Sequence, residues 1–209
     1  MRGKGSTHSR RRAAGLVALL ATGAAWTSPA QAQLRSFELG AGGWFIDNLQ
    51  ADGVALRTDI RDGRSGLRKG LFLLLCDRRS VKAVFSLRAS GPLQGRLVSG
   101  QGVASLRFSA GAGQVGDARH MAGLTVAEGG SFELADLLPD QTGSLMVIPR
   151  ELLSGKTQVT LTLTESTRVD SFSKPQVIQL KVNRDQDATA QLTDFQTSCI
   201  LLQRFTPKS

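Results

Sequence analysis

Tyrosine is absent from this chain of 209 residues, and tryptophan, histidine and cysteine occur only twice each. Each shortage excludes a class of protein. With no tyrosine, and with Trp44 the sole tryptophan beyond residue 32, the two aromatic girdles of an outer-membrane barrel cannot be built, although about eight strands would fit the length. Beyond residue 32 only one histidine and two cysteines remain, too few ligands for a histidine–cysteine metal site, and neither zinc-finger spacing nor RNP-like aromatics occur. No internal repeat or low-complexity linker interrupts the chain.

What is present begins with an export signal. Arg2, Lys4, Arg10, Arg11 and Arg12 precede an apolar stretch from Ala13 to Trp26, and Ala30-Gln31-Ala32 places small residues where a signal peptidase reads. We expect residues 1–32 to be a cleavable signal peptide and residues 33–209 to form a single β-rich domain, periplasmic or secreted. The apolar core is too short and too rich in Ala and Gly to stay as a membrane anchor, and no later segment is long enough to span a bilayer. Ser9-Arg10-Arg11-Arg12 also resembles a twin-arginine signal, with Ala13 and Ala14 in place of bulkier residues, so the export route stays open. Five of the 26 basic residues lie in this leader, leaving 21 against 17 acidic residues, a net charge of +4 rather than +9. So small an excess gives no argument for a nucleic-acid partner.

Cys76 and Cys199 both lie beyond the leader, and in an oxidising compartment an even pair reads as one disulfide. Such a bond would close a loop for which the chain-entropy model gives roughly 4 to 5 kcal/mol. Neither cysteine sits at the cleavage site, so no lipid anchor is expected.

Beyond the leader, apolar residues recur mainly at period two, the spacing of strands with one wet and one dry face. Val159-Thr160-Leu161-Thr162-Leu163-Thr164 is the clearest case, joined by Val81 to Leu87, Ala104 to Phe108, Phe132 with Leu134, Leu145 with Val147, and Ile178 to Val182. Leu71 to Cys76 is apolar on both faces and predicts a central strand. Pro149 to Gly155 suits a single helical turn between strands. Near the end the period changes: Ala188, Leu192, Phe195, Cys199 and Leu202 fall on one helical stripe, preceded by Asp185 and Asp187 as cap and first-turn charge. The fold expected is mainly β, an antiparallel β-sandwich or partly closed barrel with a C-terminal α-helix packed on it.

Several motifs look chemical and do not survive their context. Gly111-Ala112-Gly113-Gln114-Val115-Gly116 matches a dinucleotide fingerprint, with Asp136 about twenty residues on, but Gly123, Gly129 and Gly130 interrupt the helix that chemistry requires. Gly155-Lys156-Thr157 lacks the glycine that opens a phosphate cradle, since Arg150 stands there. Ser171-Phe172-Ser173-Lys174 has the serine and lysine of penicillin-binding enzymes without their supporting elements, and Pro175 argues against the helix they need. No cofactor and no metal are therefore expected. His120, the only histidine after the leader, has no Gly-x-Ser-x-Gly elbow to serve and no acidic partner assignable by spacing, so it reads as an exposed loop residue.

Nine basic residues crowd one segment: Arg57, Arg61, Arg64, Arg68, Lys69, Arg78, Arg79, Lys82 and Arg88, against Asp59, Asp62 and Asp77. They could meet on one side of the sheet and attract an anionic envelope component or an acidic protein. The plainer reading is a solvated basic edge that discourages strand-to-strand aggregation.

Gly43-Trp44, the strand Leu73-Leu74-Leu75-Cys76 and the closing helix Ala188-x-x-x-Leu192-x-x-Phe195-x-x-x-Cys199 together resemble small exported bacterial proteins of two families. These are the type VI secretion-associated periplasmic family and the invasion-associated locus B family. The resemblance implies an accessory or interaction role. The leading expectation is thus an exported non-enzymatic protein that binds a protein or envelope component, and the runner-up is a small periplasmic hydrolase using His120 with a serine such as Ser171. N-terminal sequencing of the exported protein should give Gln33 as the first residue, in a soluble fraction. A start before Ala24, or retention of residues 1–32 in a membrane pellet, would contradict the signal peptide.

Overall fold

Apolar and polar residues alternating at period two build ten strands in the computed structural model, which describes residues 36–49, 53–87, 100–111, 119–127, 131–137, 144–165 and 175–205. In chain order they are β1 (Ser36–Leu39), β2 (Phe45–Asn48), β3 (Val54–Asp62), β4 (Arg68–Cys76), β5 (Val81–Leu87), β6 (Gly100–Ser109), β7 (Arg119–Ala127), β8 (Ser131–Asp136), β9 (Gln158–Glu165) and β10 (Gln176–Val182). A 3-10 turn (Ser144–Met146) and helix α1 (Val147–Leu153) separate β8 from β9, and helix α2 (Gln186–Arg204) follows β10.

The strands lie in the order β1-β10-β9-β6-β7-β8-β5-β4-β3-β2, and β1 also pairs with β3 through Phe37↔Asp62 to Leu39↔Ile60. That extra pairing closes nine strands into a barrel and leaves β2 outside it, so the expected sandwich is corrected to one sheet closed on itself. The reason lies in β3, which pairs with β1 along its second half and with β2 along its first half. The two short strands therefore run along β3 as one strand interrupted at residues 40–44.

The interruption is stitched to the barrel by specific groups. Gly40 has φ 81°, and a Cβ there would strike the Asn183 carbonyl and the Trp44 indole nitrogen. Thr58 is polar yet points to the dry side of β3, only 1% exposed. Its hydroxyl accepts the Gly40 N–H at 3.1 Å and donates to the Gly43 carbonyl at 2.7 Å, so the buried oxygen is satisfied and the loop fixed. The indole N–H of the buried Trp44 reaches the Asn183 carbonyl at 3.4 Å, and the Asn183 amide donates to Glu38 at 3.0 Å.

Inside, Phe72, Phe85 and Phe132 are successive cross-strand partners on β4, β5 and β8, with ring centroids 4.8 and 4.9 Å apart, and Trp44 meets Phe72 edge-on at 6.2 Å. Each such buried ring contributes about 1.5 to 3 kcal/mol of burial. Leu106, Phe108, Leu134, Leu161 and Phe195 fill further interior space. Thr160, Thr162 and Thr164 on β9, with Arg57, Asp59 and Arg61 on β3, occupy the opposite, outward rows. Apolar inside and polar outside is the inverse of a lipid-facing barrel. Among the described residues no helix is long and apolar enough to cross a membrane.

The pairing register places the starts of β3 and β5 and the ends of β4 and β8 at the same end of the barrel, where Val54 faces Cys76 and Cys76 faces Val81. The 3-10 turn packs on β5 and β8 there, and α2 packs on β2, β3 and α1. Asp185 caps α2 by accepting the Ala188 N–H at 2.7 Å, as the sequence predicts, and Ala188, Leu192, Phe195 and Cys199 are its buried stripe. Leu202, assigned to the same stripe, is only half-buried. The Arg184 guanidinium donates to the Leu152 carbonyl, tying the two helices together. Leu145 and Val147 are not a strand, as their alternation suggests, but belong to the 3-10 turn and α1. Two residues cannot fix a period, and Leu145, Ile148 and Leu152 are buried at helical spacing instead. Pro149 is the third residue of α1 rather than its first, and Gly155, at φ 99°, follows its end.

Cys76 and Cys199 form a disulfide, with α-carbons 5.8 Å apart across 123 residues of sequence. Both side chains are buried, so the bond joins the end of β4 to the dry face of α2. Cys76→Ser should destabilise the protein by about 2 to 5 kcal/mol in denaturant titration. Adding Cys199→Ser should cost little more, because the two residues act through one bond.

Candidate functional site

His120 is not on an exposed loop. It is the second residue of β7, on the same face as Ala122, Leu124 and Val126, all of which point into the barrel. Asp136 ends β8 on the row of Phe132 and Leu134, which also points inward, and β8 sets it opposite Ala122. The two side chains are diagonal neighbours at the helix-covered end, with imidazole Nε2 3.8 Å from carboxylate Oδ1. Their side chains are only 17% and 7% exposed. Nε2 and both carboxylate oxygens are out of contact with water and have no hydrogen-bond partner. The sequence hid this pair because its members are sixteen positions apart and on different strands.

A buried carboxylate is costly unless paired, and 3.8 Å is too long for a hydrogen bond but within reach of an ion pair with an imidazolium. The pair thus offers the acid and the histidine of a nucleophile–histidine–acid arrangement, without a hydrogen bond between them. No nucleophile accompanies it among the described residues, and Ser171 and the Ser171 to Lys174 motif lie outside them. Glu165, where β9 ends and the connection bearing Ser171 begins, is four positions along β9 from Leu161, the residue level with Leu106 and hence His120. That is roughly 13 Å along the barrel wall.

Of the dinucleotide-like run only Gly111 is described, and the next described element, beginning at Arg119, is strand β7 instead of the helix a pyrophosphate would need. Gly155-Lys156-Thr157 is the turn from α1 into β9, with the Thr157 hydroxyl donating to the Ala110 carbonyl at 2.8 Å. Among the described residues no group of three metal-ligating side chains exists.

The basic residues do not form one patch. Arg57 stacks over Phe45 at 4.9 Å and pairs with Asp47 at 2.6 Å, while Arg61 and Arg68 share Asp59 at 3.5 and 2.9 Å. Lys82 pairs with Glu133 at 3.1 Å. Arg64, Arg68 and Lys69 gather at the β3–β4 turn, and Arg78 and Arg79 at the β4–β5 turn, the opposite end of a nine-residue strand. Arg88 lies outside the described residues. Among the described residues Arg64, Lys69 and Arg79 form no ion pair.

An aspartate organises each turn. The Asp62 carboxylate accepts the Ser65 N–H and hydroxyl and the Arg64 N–H, and these bonds, the Ser65 N–H foremost, hold it below the ordinary carboxylate range. Partial burial pushes the Asp77 carboxyl up, but the Arg79 N–H and the Ser80 hydroxyl and N–H together outweigh it, with Lys82 adding, so Asp77 is also held low. No family model matches the chain, and no curated protein or solved structure shows significant similarity to it. Function is consequently to be read from these residues themselves.

A carboxylate held low in the folded state adds stability above its unfolded pKa of about 3.9, and that stability is lost as the pH falls through the folded value. Asp77→Ala should therefore lower the urea midpoint at neutral pH, and its difference from the parent should close below about pH 4. A difference unchanged in acid would show that the turn gains nothing from the ionised carboxylate.

Proposed function

We propose that the chain is an exported, non-enzymatic protein that binds an acidic protein or anionic envelope component through the outer surface of its barrel. The observation that carries this reading is the filled interior: the stacked Phe72, Phe85 and Phe132, with the helices over one end, occupy the space a barrel would offer a ligand. Recognition then falls to the outside. The β3–β4 turn is the favoured contact, because among the described residues Arg64 and Lys69 there form no ion pair and Leu67 beside them is 62% exposed. The Cys76–Cys199 bond suits an oxidising compartment and so supports export. The resemblance to the type VI secretion-associated and invasion-associated locus B families points to the same kind of accessory role.

A second reading, a small periplasmic hydrolase using His120, is favoured by one observation, the placement of Asp136 beside that histidine. The two readings separate experimentally. A photo-crosslinking residue at Leu67 should capture a discrete envelope partner, and Arg64→Glu with Lys69→Glu should reduce the yield several-fold, as should high salt. Ester turnover should stay at background in parent and His120→Ala alike. Turnover that falls about a hundredfold or more in His120→Ala would replace the binding reading with the hydrolase.

A further inference from the structure

We propose that the β3–β4 turn is a membrane contact, with the Leu67 side chain entering the acyl region of an anionic phospholipid bilayer and Arg64, Arg68 and Lys69 set at the phosphate head groups. The contact rests on the reading of this turn as the binding surface of an exported protein, and it gives that surface a partner. Every residue of the hairpin is described, from Gly53 to Leu87. Residues 63–68 are exposed in succession, and Leu67 among them is 62% exposed, more than any other large aliphatic side chain among the described residues.

An apolar side chain left in water forgoes the burial that drives the rest of the chain to fold, so its exposure needs a cause. Here the backbone holds it out. The Asp62 N–H donates to the Leu67 carbonyl at 2.9 Å and the Gly66 N–H to the Asp62 carbonyl at 2.8 Å, while Gly66 takes the left-handed φ of 66°. The Asp62 carboxylate accepts the Arg64 N–H at 3.1 Å, the Ser65 N–H at 2.9 Å and the Ser65 hydroxyl at 3.0 Å. The Gly63 N–H donates to the Ser36 carbonyl at 3.1 Å, which ties the turn to β1. Leu67 would have to break this set of bonds to fold back onto the barrel wall, and so it is presented at a fixed tip.

The chemistry of the tip selects the partner. Residues 61–69 hold Arg61, Arg64, Arg68 and Lys69 against Asp62, four basic residues to one acidic, a net charge of +3. Arg68 pairs with Asp59 yet keeps 62% of its side chain exposed. A leucine set among cations matches an interfacial anchor, in which the apolar group inserts while Lys and Arg keep their charged heads at the phosphates. A stable protein interface takes about 20 to 30 residues a side, a surface that a projecting turn does not offer, whereas a bilayer needs no matching relief. Each cation near an anionic membrane strengthens binding about fivefold, and insertion of the leucine about tenfold. The association is therefore weak and reversible, in keeping with recovery of the protein in a soluble fraction.

Co-sedimentation of the exported protein with vesicles tests the contact. Vesicles of phosphatidylglycerol with phosphatidylethanolamine should bind it about tenfold or more better than vesicles of phosphatidylcholine, and added salt should weaken the binding. Leu67→Ser should cost about tenfold, and Arg64→Gln with Lys69→Gln about twentyfold. Leu201→Ser and Arg79→Glu, exposed positions at the helix-covered end, should each leave binding within about twofold. An unchanged denaturant midpoint in each variant excludes unfolding as the cause. Brominated acyl chains should quench the emission of Leu67→Trp but not that of the parent, whose Trp44 is buried. No preference for the anionic vesicles, or binding that Leu67→Ser leaves unchanged, overturns the membrane contact. If a photo-crosslinker at Leu67 then still captures a protein in a manner that depends on Arg64 and Lys69, the membrane contact fails and the binding reading stands. With neither vesicle binding nor capture, both fail.

Discussion

Closing a ring of nine strands is the constraint on which the rest of the structure depends. Around a purely antiparallel ring the strand direction alternates, so an odd ring requires one parallel pair. Here it is β1 with β10, from Ser36↔Gln179 to Leu39↔Val182. Parallel pairing is slightly the weaker kind, and this seam is four residues long. The polar groups beside it are those that stitch it. Thr58, Gly40, Trp44 and Asn183 meet where β1 turns away from β10 toward β2, and each would be out of place anywhere else in an apolar wall.

Closure at the seam leaves one end of the barrel to be covered, and the two helices do so with different strengths. Helix α2 is fixed by its buried stripe, by the capping carboxylate of Asp185 and by a covalent bond to β4. Helix α1 has seven residues and no side-chain cap, and among the described residues it is held by the buried Ile148, Pro149 and Leu152, by Val147 and Leu153 against the core, and by the Arg184 contact. A short helix without a cap contributes little stability of its own. The α2 side of this end is thus tied covalently to the barrel wall, while the α1 side, where the His120–Asp136 pair lies, is held by packing and hydrogen bonding alone.

Much of the fold was legible, and the gaps have physical causes. The alternating run from Val159 to Thr164 became β9, the apolar run at Leu71 became β4, and the stripe from Ala188 to Cys199 with its Asp185 cap became α2. The disulfide followed from the cysteine number and the expected compartment. Strand β3 was obscured because Thr58 breaks the apolar row on its dry face, and β1 and β2 because four residues each are too few to show a period. Barrel and sandwich differ in a single pairing, β1 with β3, and no local pattern encodes it. The basic residues were correctly seen as a crowded segment, but strand geometry sent them to opposite ends and gave several of them aspartate partners. His120 was misplaced because a histidine on an apolar row is recognisable only once its strand is known.

Closure also orders the folding of the chain. Residues 36–39 can complete the ring only after residues 176–182 exist, and Cys76 can find Cys199 only when nearly the whole chain is available. Until then β3 and β10 present open edges, the surfaces that aggregate most readily. Contacts of such long sequence separation make folding slow, because the entropy of closing the loop is lost before any contact compensates it. The hairpins β3–β4–β5 and β6–β7–β8 need no distant partner and can form early, with Phe85 and Phe132 joining them across one register. The seam and the disulfide both require residues from the C-terminal part of the chain, and docking α2 buries the same Cys199 that the bond uses. The crosslink thus ties a central strand to the terminal helix, a junction of 123 residues' separation that neither hairpin supplies.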